Sequence, residues 1–152
     1  MKKNRLILFG VLIACLPLFL HSQSNTIIDE LLDEEKADWG QTTYMVLTAA
    51  ELLDENIDTT GAIETLRKQK WEVDVKEPAE PITLGEYSFL LMKAFNIPGG
   101  LMYKIVPGPR YAARELGYLN FIDNDKSPNR TLSGEEVLRI LGRLLEWKEA
   151  NL

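Results

Sequence analysis

Cysteine and histidine are the scarcest chemistries in this chain: its 152 residues include one Cys, Cys15, and one His, His21. Both lie in an N-terminal segment that reads as a removable leader, so the chain beyond it carries neither. Without them, disulfides, thiolate nucleophiles, imidazole bases and Cys/His zinc sites are excluded from that remainder. Acid–base work would then fall to paired carboxylates, as in glycosidases. The best-placed pair, Glu86 and Glu136, sits at helix-capping positions and so already has a structural use; the sequence reads as non-enzymatic and without a cofactor.

An apolar run long enough to cross a bilayer is also missing. The longest, residues 6–20, is shorter than the roughly 20 residues a span needs and contains Pro17. Lys2, Lys3 and Arg5 precede it and His21-Ser22-Gln23-Ser24 comes after it, the order of a secretory signal peptide over residues 1–24. Cleavage is expected near Ser22 or Ser24. Leu12-Ile13-Ala14-Cys15 also fits a bacterial lipobox, which would make Cys15 a lipid anchor and give the chain its one route to a membrane. The residues after Cys15 are Leu-Pro-Leu-Phe-Leu rather than a polar tether, and a Cys in an apolar run also serves as a small hydrophobe. The expected compartment is the periplasm or outer cell envelope.

Apolar residues at 45% and charged residues at 26% suit a folded domain, here taken as one helical unit over residues 25–152. Loss of the leader removes three bases and no acid, taking the net charge from −6 to −9. An exported chain that acidic is a poor nucleic-acid partner. Bases are scarce early: residues 25–60 hold ten acidic side chains and Lys36 alone.

What the sequence does have is helix punctuation. Thr83 precedes Glu86, and Ser133 precedes Glu136, by the three positions of a capping box. Apolar stripes at helical spacing come after each: Tyr87, Leu90, Leu91, Ala94 and Phe95, then Val137, Ile140, Leu141, Leu144 and Leu145. Asp38 and Gln41 share the spacing, and Gly40-Gln41-x-x-Tyr44 lines up with Gly85-Glu86-x-x-Phe89 forty-five residues on. The plan is all-α, built from tandem helix–loop–helix units. N-terminal helices are expected at 26–38, capped by Thr26, and at 41–55. One repeat spans about 61–98 and a second about 109–149, and a third motif at 38–55 is open. Residues 61–70 read as a helix, 72–81 as an extended segment or short strand, and 101–106 as either a short helix or an extended segment. A helix from Pro109 to Gly117 and a last one from Ser133 to Ala150 complete the plan.

Tyr111-Ala-Ala-Arg-Glu-Leu-Gly-Tyr-Leu-Asn-Phe121, with Thr131-Leu-Ser-Gly-Glu-Glu136 after it, resembles the S-layer homology repeat, and Pro81-Ile-Thr-Leu-Gly-Glu86 is the matching entry of the earlier copy. The resemblance covers about residues 61–145. It implies helix–loop–helix units packed in sets and a cell-wall polysaccharide or peptidoglycan ligand. In that family a Thr-Arg-Ala-Glu type motif opens the second helix and its basic residue meets the glycan; the matching positions here are Leu84 and Gly134. The leading functional expectation is therefore a non-catalytic scaffold that binds another envelope protein, with the cell-wall glycan as the alternative.

Two sets of side chains are candidates for a site. Asp123, Asp125 and Asn129 alternate as calcium ligands do, although Pro128 stands where an EF-hand loop needs Gly and Gly134 where it needs Glu. Arg110, Arg114, Arg139 and Arg143 concentrate positive charge in the C-terminal third and could hold an anion or a partner; Arg139 could equally pair with Glu135 and Glu136.

Overall fold

The computed structural model describes residues 22–54, 56–123 and 125–151. The apolar leader and Cys15 lie outside the described residues. The chain divides into two compact units at Glu30 and Leu31. In the first, residues 22–30 are helical; the second carries the rest of the described chain. Among the described residues there are seven helices and no strand, an all-α fold, with two isolated bridges, Asp38 to Pro81 and Thr83 to Thr131. None of these helices is long and apolar enough to cross a membrane.

Helix α1 spans Ser22–Leu32, so Thr26 lies inside it rather than capping it, and the helix stops well short of residue 38. Leu31 is fully buried, but Leu32 is 47% exposed, so the apolar face is narrower than the spacing of the two suggests. Helix α2, Trp39–Ala49, starts where the Asp38 carboxylate accepts from the Gln41 N–H at 2.7 Å and ends six residues before residue 55. Helix α3, Thr59–Lys68, starts two residues earlier than its apolar pattern implies, because Asp58 accepts from the Gly61 N–H at 2.8 Å. Residues 72–81 form no strand; they run as irregular chain with a turn and meet the start of α2 through Pro78, Glu80 and Pro81.

Helix α4, Leu84–Ala94, carries a complete capping box. Thr83 Oγ1 accepts from the Glu86 N–H, and the Glu86 carboxylate accepts from both the N–H and the hydroxyl of Thr83. Its burial exceeds one stripe: Phe89 and Met92 are as enclosed as Tyr87, Leu90 and Leu91. The reason is position, since α4 packs against α2 on one side and α6 on another. Each fully buried Leu there contributes roughly 1.5–3 kcal/mol.

Residues 101–105 resolve as a short helix, α5, Leu101–Ile105, docked by Tyr103, whose ring meets Phe89 edge-on at 6.2 Å. Helix α6, Pro109–Tyr118, begins with Pro at its first position after an extended Gly108. Helix α7, Gly134–Ala150, has the second capping box, Ser133 with Glu136, and Trp147 packs edge-on against Phe121 at 6.0 Å.

Helices α2, α4 and α6 end alike. The residue three places past the helix donates back to its third-last carbonyl: Leu52 to Leu47, Ile97 to Met92, Phe121 to Leu116. The residue just before each donor takes the left-handed conformation, Glu51 at φ 58°, Asn96 at 52° and Asn120 at 59°. At the end of α4 that role falls to Asn96, not to Gly99 or Gly100, both of which keep φ outside the left-handed region.

The cap segments before α2, α4 and α7 are tied in a closed ring. Ala37 N–H donates to Leu132 O at 2.8 Å, Ile82 N–H to Ala37 O at 2.9 Å, and Leu132 N–H to Ile82 O at 3.3 Å. All three residues are fully buried. A second tier runs from Trp39 N–H to Glu80 O, Leu84 N–H to Arg130 O and Gly134 N–H to Glu34 O, each at 2.9 Å. Two of the junctions add a glycine contact: Gly40 N–H donates to Pro78 O and Gly85 N–H to Pro128 O, each at 2.8 Å. A Cβ on Gly85 would come within 3.0 Å of Pro128 O and 3.1 Å of Pro109 Cβ, so the approach needs a bare Cα. Tyr87 closes the interior: its hydroxyl donates to Val137 O at 2.7 Å across a fifty-residue separation.

Candidate functional site

The cap carboxylates Glu86 and Glu136 are partly enclosed and each has clear partners, and their work is structural. Burial pushes the Glu86 carboxyl up, but hydrogen bonds from Lys76 and Thr83 outweigh it and hold it below the usual carboxylate range. Glu136 is likewise raised by burial and lowered further by the Arg130 guanidinium, a two-pronged pair at 2.9 and 3.0 Å, and by the Ser133 backbone. Each carboxylate therefore spends its oxygens on a helix start and a neighbouring base. They do not converge on a cleft.

The loop between α6 and α7 assigns its acids in the same manner. Asp123 accepts from Arg143 Nη1 at 2.6 Å and lies 3.8 Å from Arg139, and the Arg143 hydrogen bond holds its carboxyl low. Asp125 accepts from the Ser127 N–H at 2.9 Å, a local turn. Asp123, Asp125 and Asn129 thus have no shared centre, and among the described residues no group of three or more potential acidic, Cys or His ligands converges. The four arginines separate into two pairs. Arg139 is engaged by Glu135 at 3.1 Å, by Glu136 at 3.7 Å and by Asp123; Arg143 holds Asp123 and the Phe121 carbonyl.

Arg110 and Arg114 lie elsewhere, on the outer face of α6. With Lys126 from the loop after that helix they line a cleft of about 350 Å³, whose walls include Tyr111, Gly117, Tyr118 and Pro128. Positions 110, 114 and 118 fall at i, i+4 and i+8, so one helix face carries two guanidiniums and a phenol. Arg114 Nε donates to the Tyr118 hydroxyl at 2.8 Å, and the guanidinium sits 5.4 Å from the same ring's centre. That hydrogen bond raises the Arg114 pKa further above its already high ordinary value, so it stays charged throughout. Lys126 Nζ donates to the Gly117 carbonyl at 3.1 Å, which draws the loop against the helix. Among the described residues, none of Arg110, Arg114 and Lys126 forms an ion pair with a carboxylate. The two tyrosines and Lys126 are absent from the sequence-based candidates. The i, i+4, i+8 spacing is a usable signal for Tyr118, whereas Lys126 arrives only through the packing of its loop.

A second feature adjoins α6. Helix α5 packs against it, and Leu101, Met102, Ile105 and Val106 are exposed at 73, 47, 64 and 53%. A smaller hollow of about 240 Å³ near the end of α3 is lined by Arg67, Trp71 and Glu72 among others, and Arg67 there has Glu77 3.8 Å away.

No family model, no curated protein and no solved structure matches this chain.

Proposed function

We propose that the protein is a non-catalytic, exported interaction module of the bacterial cell envelope that binds another envelope protein, its helices forming three turns of a helix–loop–helix repeat. The observation that carries the reading is the row Leu101, Met102, Ile105 and Val106, which gathers four of the six exposed large apolar side chains among the described residues into one short stretch. The ring of cap segments supports the repeat reading, since it relates positions 37, 82 and 132 by the same offsets as the capping motifs. The absence of Cys and His past residue 21 supports a binding role over a chemical one.

The test is affinity capture from envelope extracts with the full chain and with Leu101→Ser/Ile105→Asp. A defined partner lost by the double substitution supports the reading; an equal yield from both proteins overturns it. The second reading, a module for cell-wall glycan, is favoured by one observation, the tyrosine rings and guanidiniums of the α6 cleft, which suit a sugar ring bearing an anionic group. Co-sedimentation with purified peptidoglycan sacculi separates the two. Saturable retention, reduced by substituting Tyr118 and Arg114, would establish the glycan and displace the protein partner.

A further inference from the structure

The charge of this surface runs against the rest of the chain. The protein carries 23 acidic and 17 basic side chains, yet three of its cations gather in one cleft without a carboxylate among them. The other arginines of the C-terminal third, Arg130, Arg139 and Arg143, all have acidic partners within 4 Å. Arg114 is also pre-oriented: Tyr118 occupies its Nε, which leaves the two terminal nitrogens as an open fork of the shape that takes a carboxylate through two parallel hydrogen bonds. Next to this helix, joined to it by only Pro107 and Gly108 after Val106, lies the aliphatic row of α5. An aliphatic row needs apolar cover and a cationic cleft needs anions. A polypeptide supplies both from one segment, whereas a glycan offers hydroxyls to the aliphatic half.

We propose that the α5–α6 pair is a docking surface for an acidic, amphipathic polypeptide segment of a partner protein. Its carboxylates are taken by Arg110, Arg114 and Lys126, and its apolar side chains by Leu101, Ile105 and Val106. The proposal rests on the interaction-module reading and assigns it a face and a partner chemistry. Because the cations are exposed, attraction to the partner is screened by salt and acts mainly on the rate of encounter.

The experiment is site-specific photo-cross-linking of the full chain in cells of its own source, with a benzophenone amino acid placed at Ile105, at Tyr118, or at exposed Glu64 on α3. Capture of one and the same protein from Ile105 and Tyr118, through a segment that peptide sequencing shows to be net acidic with interspersed apolar residues, is the expected result. Capture from Ile105 should fall about tenfold in Arg110→Glu/Arg114→Glu and in about 0.5 M salt. The milder Arg110→Gln/Arg114→Gln, at exposed positions, should weaken capture in the same direction, with an unchanged melting curve showing that the fold is kept. A cross-linked segment that is neutral or basic, capture indifferent to the substitutions, or attachment to glycan alone overturns the proposal. Protein capture from Glu64 only would overturn this face and leave the interaction-module reading standing. Failure of all three positions would overturn both.

Discussion

At the scale of single residues, the packing is least forgiving at Gly134. A Cβ there would overlap the Leu31 carbonyl, a backbone group that cannot swing aside, while Gly142 on the same helix has open space around it. Gly134→Ala should therefore cost about 3 kcal/mol, whereas Gly142→Ala should be neutral or stabilising by up to about 1 kcal/mol through helix propensity alone. Paired urea melts would show Gly134→Ala lowering the midpoint and Gly142→Ala leaving it in place or raising it. Thr42 gives a change of the other sign. Its hydroxyl is fully buried without a hydrogen-bond partner, so Thr42→Val removes an unmet polar group at nearly constant volume and should raise stability by about 1 kcal/mol. A lower melting temperature for that variant would show that the hydroxyl is satisfied in solution.

The elements show which local signals survive folding. Thr83-x-x-Glu86 and Ser133-x-x-Glu136 are legible directly because a capping box is made of side chains three residues apart, with no help from the rest of the fold. Asp58 gives no such signal as a cap, since Gly61, three residues on, offers only a backbone N–H and leaves no acidic signature. Helix α5 is ambiguous in sequence because five largely apolar residues fit a turn of helix and an extended run equally, and only Tyr103 docking on Phe89 settles it. The cleft is half legible: Arg110 and Arg114 share a helix face by spacing, but Lys126 reaches them from a loop whose alternating Asp and Asn pattern suggests a different use. The capped helices also make a pH prediction. Glu86 and Glu136 have folded pKa values below the ordinary 4.5, so the charged forms stabilise the native state above that value, and the contribution is lost as pH falls through the depressed range. The melting temperature should be level from about pH 7 to pH 5.5 and drop below about 4.5. Glu86→Gln/Glu136→Gln keeps the cap acceptors and removes the charges, so it should melt lower at pH 7 and show a shallower acid-side decline. An unchanged pH profile in the double variant would place the acid sensitivity elsewhere.

For the molecule from Leu31 onward, the ring of cap segments sets the unit of cooperativity. Each segment needs both of the others: Ala37, Ile82 and Leu132 each donate to one neighbour and accept from the next. Removing any member leaves two buried backbone groups without partners, at roughly 1–3 kcal/mol each, in addition to the lost packing. A fragment beginning at Thr59 keeps α3 to α7 but lacks Ala37, so it should melt without a sharp transition although it contains both capping boxes. Circular dichroism across a thermal ramp would test this, and a steep two-state transition for the fragment would show that two units suffice.

The same ring has a consequence for how the protein can be watched. The amide hydrogens of Ala37, Ile82 and Leu132 come from positions far apart in the chain, yet none can open to solvent without breaking the loop of bonds that protects all three. Local fraying at α5 or at a loop tip leaves them untouched. In deuterium exchange they should therefore be among the slowest sites, share one opening free energy once each amide's intrinsic rate is divided out, and slow or quicken together with every substitution that shifts global stability. Three amides from three distant peptides would then act as a single internal clock for complete unfolding.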